Sequence, residues 1–346
     1  MRGAGSLLAL GGAVAVLFVL AVALGPVPVP LGDTVAVLVG AEPSDPRWTV
    51  VIGTFRISRA ATAVLAGAGL GVAGLLMQTL FRNALADPYV LGVSAGASLG
   101  VALFLAATTT AAAGATFGAG LVGLGRIGAV GSAAVGAAAV LGLVLVLARR
   151  VRSAVTLLIV GVMVGAVAAA VVSLVLVWTN PLTAQQYLVW GLGSVDATSG
   201  ADLPVLATVV AVGLVLAGLC AAPLTAFLLG EDYARSMGVD VRAVRIAVLV
   251  AASLLAGAIT AYCGPVAFVG IAVPHLARLV AGTSDHRLLL PVTALVGAVT
   301  LLACTIVAHP PGAELVVPLN VVTSLVGGPV VIAVLLRSSR FAGAAT

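Results

Sequence analysis

Polar and apolar positions along this chain alternate on a long scale, with apolar runs of about twenty residues separated by short stretches of arginine, acid, proline and glycine. At a rise of about 1.5 Å per residue, a run of that length matches the hydrocarbon thickness of a bilayer. Ten such runs are legible: Ser6 to Leu24, Ala60 to Gln78, Val90 to Ala107, Gly120 to Ala148, Thr156 to Val177, Leu203 to Leu229, Ile246 to Cys263, Val266 to Val280, Leu288 to Val307 and Pro318 to Leu336. They predict an all-α integral membrane protein of about ten transmembrane helices, built as one domain over residues 1–346. The first run follows Arg2 and ends in Ala21-Val22-Ala23, which superficially resembles the cleavage site of a secretory leader. It is longer than the roughly 7 to 15 apolar residues of a leader core, so it reads as the first span.

Composition sharpens this picture through its charges. The chain is 62% hydrophobic and 8% charged, with a mean hydropathy of +1.28, far from the roughly one-quarter charged residues of a soluble domain. Its sixteen basic residues are all arginines, and with the amino terminus inside, twelve of them fall in cytoplasmic connections. These are Arg2, Arg82, Arg149, Arg150, Arg152, Arg235, Arg242, Arg245, Arg278, Arg287, Arg337 and Arg340, against Arg47, Arg56, Arg59 and Arg126 outside. The asymmetry predicts both termini in the cytoplasm. A net charge of +5 is accounted for by juxtamembrane arginines facing anionic lipid, so the lipid membrane and not nucleic acid is the expected partner.

Several kinds of chemistry are disfavoured. A Walker A loop needs a lysine at the nucleotide phosphates, and the chain has none, so an ATP-driven mechanism requires a second polypeptide. Cys220, Cys263 and Cys304 stand singly, without metal-ligand or disulfide spacing. No catalytic or metal site is expected. The acids (Asp33, Glu42, Asp45, Asp87, Asp196, Asp202, Glu231, Asp232, Asp240, Asp285 and Glu314) fall between the spans, which disfavours an ion-gradient-driven secondary transporter, whose coupling carboxylates usually lie within the bilayer. Glycines at spacing four, as in Gly67, Gly71 and the neighbouring Gly74 or in Gly92, Gly96 and Gly100, read as close helix packing rather than a phosphate cradle.

Three polar features stand out. The longest cytoplasmic connection, near residues 230–242, reads as a short helix with acids Glu231 and Asp232 at its start, Arg235 later, Tyr233 and Met237 on one face and a stop at Gly238. It is either a solvated turn or a docking helix for a soluble partner. At the end of the outer loop near residues 25–59, Arg56 and Arg59 lie one helical turn apart at the start of the second span and point the same way. They either snorkel to the interface or present charge to a partner. Ser153 and Thr156 open the fifth span, where N-capping is one role and a cytoplasmic gate another. His275, between Pro274 and Arg278, invites a ligand role such as a haem axial ligand, but capping and dipole compensation at a helix end are sufficient.

The segments RNALADPYVLGVSAGASLG (Arg82 to Gly100), GEDYARSMGV (Gly230 to Val239), GPVAFVGIAVPHLARL (Gly264 to Leu279), DHRLLLP (Asp285 to Pro291) and VVTSLVGGP (Val321 to Pro329) together resemble the FecCD-type permeases. These are transmembrane subunits of type II ABC importers for iron–siderophore complexes, haem and vitamin B12. The resemblance runs from about Arg56 to Arg337.

It implies a permease subunit in a bacterial cell membrane, pairing with a second permease as homodimer or heterodimer, served by an ABC ATPase dimer and by an extracellular or periplasmic binding protein. ATP and Mg would be used by the ATPase, with no cofactor on this chain. Glu231, Asp232, Tyr233, Arg235, Met237, Gly238 and Val239 would form the ATPase-coupling loop, with Arg235 as polar contact and Met237 and Val239 as apolar anchors. Arg56 and Arg59 would receive acidic residues of the binding protein. The arginine that relatives often carry near the end of the ninth helix is missing, and His309 or Arg126 would stand in for it. Ala84 replaces a proline common in relatives. Ferric siderophore is the expected cargo by family frequency, with haem or vitamin B12 as alternatives.

Overall fold

The fold is taken from a computed structural model that describes residues 2–111, 124–148, 150, 153–313 and 316–343. In chain order the helices are α1 (Arg2–Ala23), α2 (Leu31–Leu38), α3 (Arg47–Leu80), α4 (Val93–Ala111), α5 (Leu124–Ala148), α6 (Ala154–Trp178) and α7 (Pro181–Gly191). They continue with α8 (Leu203–Leu219), α9 (Ala221–Phe227), α10 (Glu231–Ser236), α11 (Val241–Cys263), α12 (Val269–Ala281), α13 (His286–Ala308) and α14 (Leu319–Gly343). No strand occurs among the described residues.

Among the described residues, nine of the ten expected apolar runs fall largely on single helices. Among the described residues, six helices are long and apolar enough to cross a membrane: the apolar parts of α1 and α5, most of α6, and all of α3, α11 and α13. The expected run from Leu203 to Leu229 is instead a bent pair, α8 and α9, turning by 53° at Cys220. Pro223 explains the break, because its ring would clash with the Leu219 carbonyl in a continuous helix and it has no N–H to donate back. The remaining apolar stretches, Val93–Ala107, Val269–Ala281 and Leu319–Ala333, are shorter helices. A further difference lies in α3, which starts at Arg47 rather than near Ala60 and passes through a π-helical stretch at Val51–Arg56.

The chain divides into two compact units. One comprises residues 1–75, 194–208 and 266–346. In it α1 packs along α13, α12 packs against α13, and α14 lies against both α12 and α13. Where α3 crosses α13, Gly67 and Gly297 face each other so closely that a Cβ on either would collide with the other's carbonyl oxygen. The other unit comprises residues 76–193 and 209–265. Here α4 packs on α5, α6 and α7, and α5 on α11. Gly96 of α4 meets Gly136 of α5 backbone to backbone in the same way. The glycine stripes are therefore contact lines between helices, as their spacing predicts.

Acids and other short polar side chains mark helix starts, where backbone N–H groups lack intrahelical partners. The Asp240 carboxylate accepts from the N–H groups of Arg242 and Ala243, both at 3.0 Å, and opens α11. Asp285 accepts from Arg287 N–H at 3.0 Å to open α13, and Asn180 from Leu182 N–H at 3.0 Å to open α7. Asp87 accepts from Tyr89 N–H at 2.8 Å and starts the 3₁₀ turn Pro88–Leu91.

Candidate functional site

Two polar constellations emerge, one at the end expected outside and one at the α10 connection expected in the cytoplasm. The first begins where α1 ends. The last carbonyls of a helix have no N–H partners and carry the negative end of its dipole. Arg56 donates from Nη1 to the carbonyls of Val22 at 2.9 Å and Ala23 at 2.7 Å, and from Nη2 to that of Val27. Arg59 donates from Nη2 to the carbonyls of Ala21 at 2.7 Å and Leu24 at 3.0 Å. Gly25 leaves room for both guanidinium groups. The two arginines do share one direction, but it points inward: they are 5% and 7% exposed and cap α1 rather than projecting toward a partner. Ala21, Val22 and Ala23 are buried with them.

His309, at the end of α13, is also buried. Its Nδ1 lies 2.8 Å from the Thr305 carbonyl oxygen and its Nε2 2.9 Å from Asp196 Oδ2. A carbonyl can only accept, so Nδ1 donates to Thr305, and Nε2 faces the Asp196 carboxylate. The Ser194 hydroxyl donates to the same Asp196 oxygen at 3.0 Å. Desolvation works to raise the Asp196 carboxyl, yet the His309 hydrogen bond and charge, the nearby Arg59 and the Ser194 hydroxyl hold it below the usual carboxylate range. His309 thus sits at the end of α13 as the partner of an acid from this same chain. The Arg126 side chain lies outside the described residues.

At the other constellation, α10 is only six residues long and is bracketed by Gly230 at φ +113° and Gly238 at φ +82°. Both are backbone conformations that favour glycine. Ala234 is the buried side of the helix, while Asp232, Tyr233, Arg235 and Met237 are exposed and Val239 is half-buried. Tyr233 and Met237 are each about half exposed or more, at 49% and 62%. Arg235 donates from Nη1 to Asp232 at 2.7 Å and lies 3.7 Å from Glu231, both on its own helix. Glu231 faces the other way as well, accepting from Arg245 Nη2 of α11 at 2.7 Å. The arrangement offers a small convex surface of one aromatic ring, one thioether and one guanidinium, suited to a shallow groove on another protein.

Ser153 caps α6, its hydroxyl accepting from Thr156 N–H at 3.4 Å. His275 is buried in the middle of α12 rather than at a helix end, because α12 continues to Ala281. No cluster of three metal-ligating side chains occurs among the described residues.

The family model described as the FecCD transport family matches residues 13–337. The chain belongs to the FecCD transport family. Among its FecCD relatives, the vitamin B12 import system permease protein BtuC of Vibrio cholerae is 36% identical over 83% of this chain and 83% of its own length. The uncharacterized ABC transporter permease protein YvrB of Bacillus subtilis is 34% identical over 86% of this chain and 81% of its own length. A solved chain described as a metal-chelate type ABC transporter in an inward-facing conformation superposes with a TM-score of 0.80 at 24% identity, covering 96% of this chain and 98% of that one. This FecCD chain is a multi-pass permease of the ABC importer type in a bacterial membrane.

Two of its partnerships escape sequence reading. Asp196 and His309 are 113 positions apart, and no local pattern joins them. Glu231 and Arg245 are 14 apart, and an acid and an arginine flanking a glycine-stopped turn were the available signal.

Proposed function

We propose that this permease moves a bulky metal chelate across the membrane, driven by a separate ABC ATPase that docks on α10. The observation that carries the reading is the glycine-bracketed α10 with Tyr233, Arg235 and Met237 exposed. Apolar side chains on a short helix outside the spans lose nothing to lipid and gain by burial against a soluble partner. A binding protein delivers cargo on the opposite side, and a second permease copy or sister completes the path. Cobalamin is the first cargo to test, because the BtuC relatives are named vitamin B12 import system permeases. Ferric siderophore is the second, on the motif resemblance.

Uptake of radiolabelled cobalamin, ferric siderophore and haem is measured in a deletion strain carrying this chain, with ATP depleted or the proton gradient collapsed. ATP-dependent uptake of one cargo is expected. Uptake that survives ATP depletion and stops with the gradient overturns the reading. Met237→Asp places a charge in the docking face and is expected to abolish copurification of the ATPase while leaving membrane insertion intact; unchanged copurification removes α10 from that role.

A further inference from the structure

We propose that Arg245 is a positioning residue that carries displacement of α10 directly into α11. The inference rests on α10 being the ATPase-docking element. A six-residue helix is too short to hold itself, and both of its ends are glycine joints, Gly230 and Gly238, in backbone conformations that other residues avoid. Motion of such a helix could be absorbed at Gly238 without reaching α11. Arg245 bypasses that joint. It sits one turn into α11, on the buried face shared with Val248, Leu249 and Ala252, and its side chain is only 9% exposed where its Nη2 meets Glu231 Oε1 at 2.7 Å. Charge-assisted hydrogen bonds of this kind are directional and hold geometry better than apolar contact.

Glu231 also lies within ion-pair distance of Arg235 on the exposed face, at 3.7 Å. The row Arg235, Glu231, Arg245 therefore runs from the docking surface to the buried face of a helix 23 residues long. Removing Glu231 alone takes the carboxylate from a guanidinium that is only 9% exposed. The doubly neutral E231Q/R245Q variant removes the link without stranding either group, and the swapped E231R/R245E variant restores it.

The test uses the permease with the ABC ATPase that copurifies with it, in the ATP-free and vanadate-trapped states, and reads backbone hydrogen exchange in residues 230–248. The wild type is expected to show a nucleotide-dependent change in α10 that extends into residues 241–248. In E231Q/R245Q the change is expected to stop at Gly238 and uptake per ATP hydrolysed to fall at least about tenfold; the swapped variant recovers most of it. A change that reaches residues 241–248 equally with and without the pair overturns the inference alone. Absence of any nucleotide-dependent change in wild-type α10 overturns the docking reading and this inference with it. If E231Q/R245Q does not assemble, R245K decides, since it keeps the charge and loses the fork: full coupling in R245K sinks the proposal, and impaired coupling in an assembled complex supports it.

Discussion

Individual side chains here serve helix ends. Arg59 is nearly buried and satisfies two carbonyls at the end of α1, so Arg59→Gln is expected to destabilise the protein by about 1.5–3 kcal/mol, the usual worth of hydrogen bonds to a charged group. A lowered melting temperature of the detergent-purified variant checks this, and unchanged melting would return the residue to a surface role. Asp87 makes the opposite point. Burial raises its carboxyl to about 6, against the lowering effect of its hydrogen bond from Tyr89 N–H. A carboxyl whose folded value is raised favours folding while protonated, so its contribution is lost as pH rises from about 4 through about 6. Asp87→Asn keeps an acceptor at the cap and removes the charge. Stability of that variant at pH 7 is expected to match or exceed the wild type, with the pH dependence between roughly 4 and 6 flattened. For Asp196 the sign reverses: its lowered carboxyl adds stability above its unfolded value, and that stability is lost as pH falls through the folded one. His309→Gln, which keeps a donor without the charge, is expected to move that acid loss to higher pH in a melting series.

Helices are the scale at which sequence reading worked best, and glycine shows why. Spacing-four glycines are a local pattern, and the lines they predict are the contacts observed, as at Gly67 against Gly297. Gly67→Ala is expected to forbid that approach and reduce the yield of monodisperse protein sharply, whereas Gly11→Ala, with open space around it, leaves yield and melting unchanged. Other elements were misread for identifiable reasons. The bend between α8 and α9 was signalled by Pro223, but the surrounding apolar residues hid it. The early start of α3 was hidden because Arg56 and Arg59 look like a boundary charge pair, whereas their partners are carbonyls of α1, 33 to 38 positions back for those with Ala23, Val22, Leu24 and Ala21. No periodicity within a span can announce a bond made that far away. The exposed face of α10 was legible because its glycines, acids and paired apolar residues are neighbours in the chain.

Across the whole molecule, the long apolar runs were enough to specify a multi-pass membrane protein, and the five motif segments supplied the permease reading. Green fluorescent protein fused behind the last helix is expected to fluoresce, since the arginine asymmetry predicts that end in the cytoplasm; a dark, secreted fusion would reverse the predicted orientation. What stays illegible at this scale is pairing at a distance, as with Asp196 and His309. The α1 cap carries a further consequence for how the chain is made. The final carbonyls of α1 find their donors in residues synthesised more than thirty positions later. During synthesis the first hydrophobic segment therefore emerges before the side chains that bond its last carbonyls exist. The two are expected to enter the membrane as a couple, so that crosslinking of a ribosome stalled before Arg56 finds the first segment still at the insertion machinery; release of that segment into lipid at the stall would separate the two events.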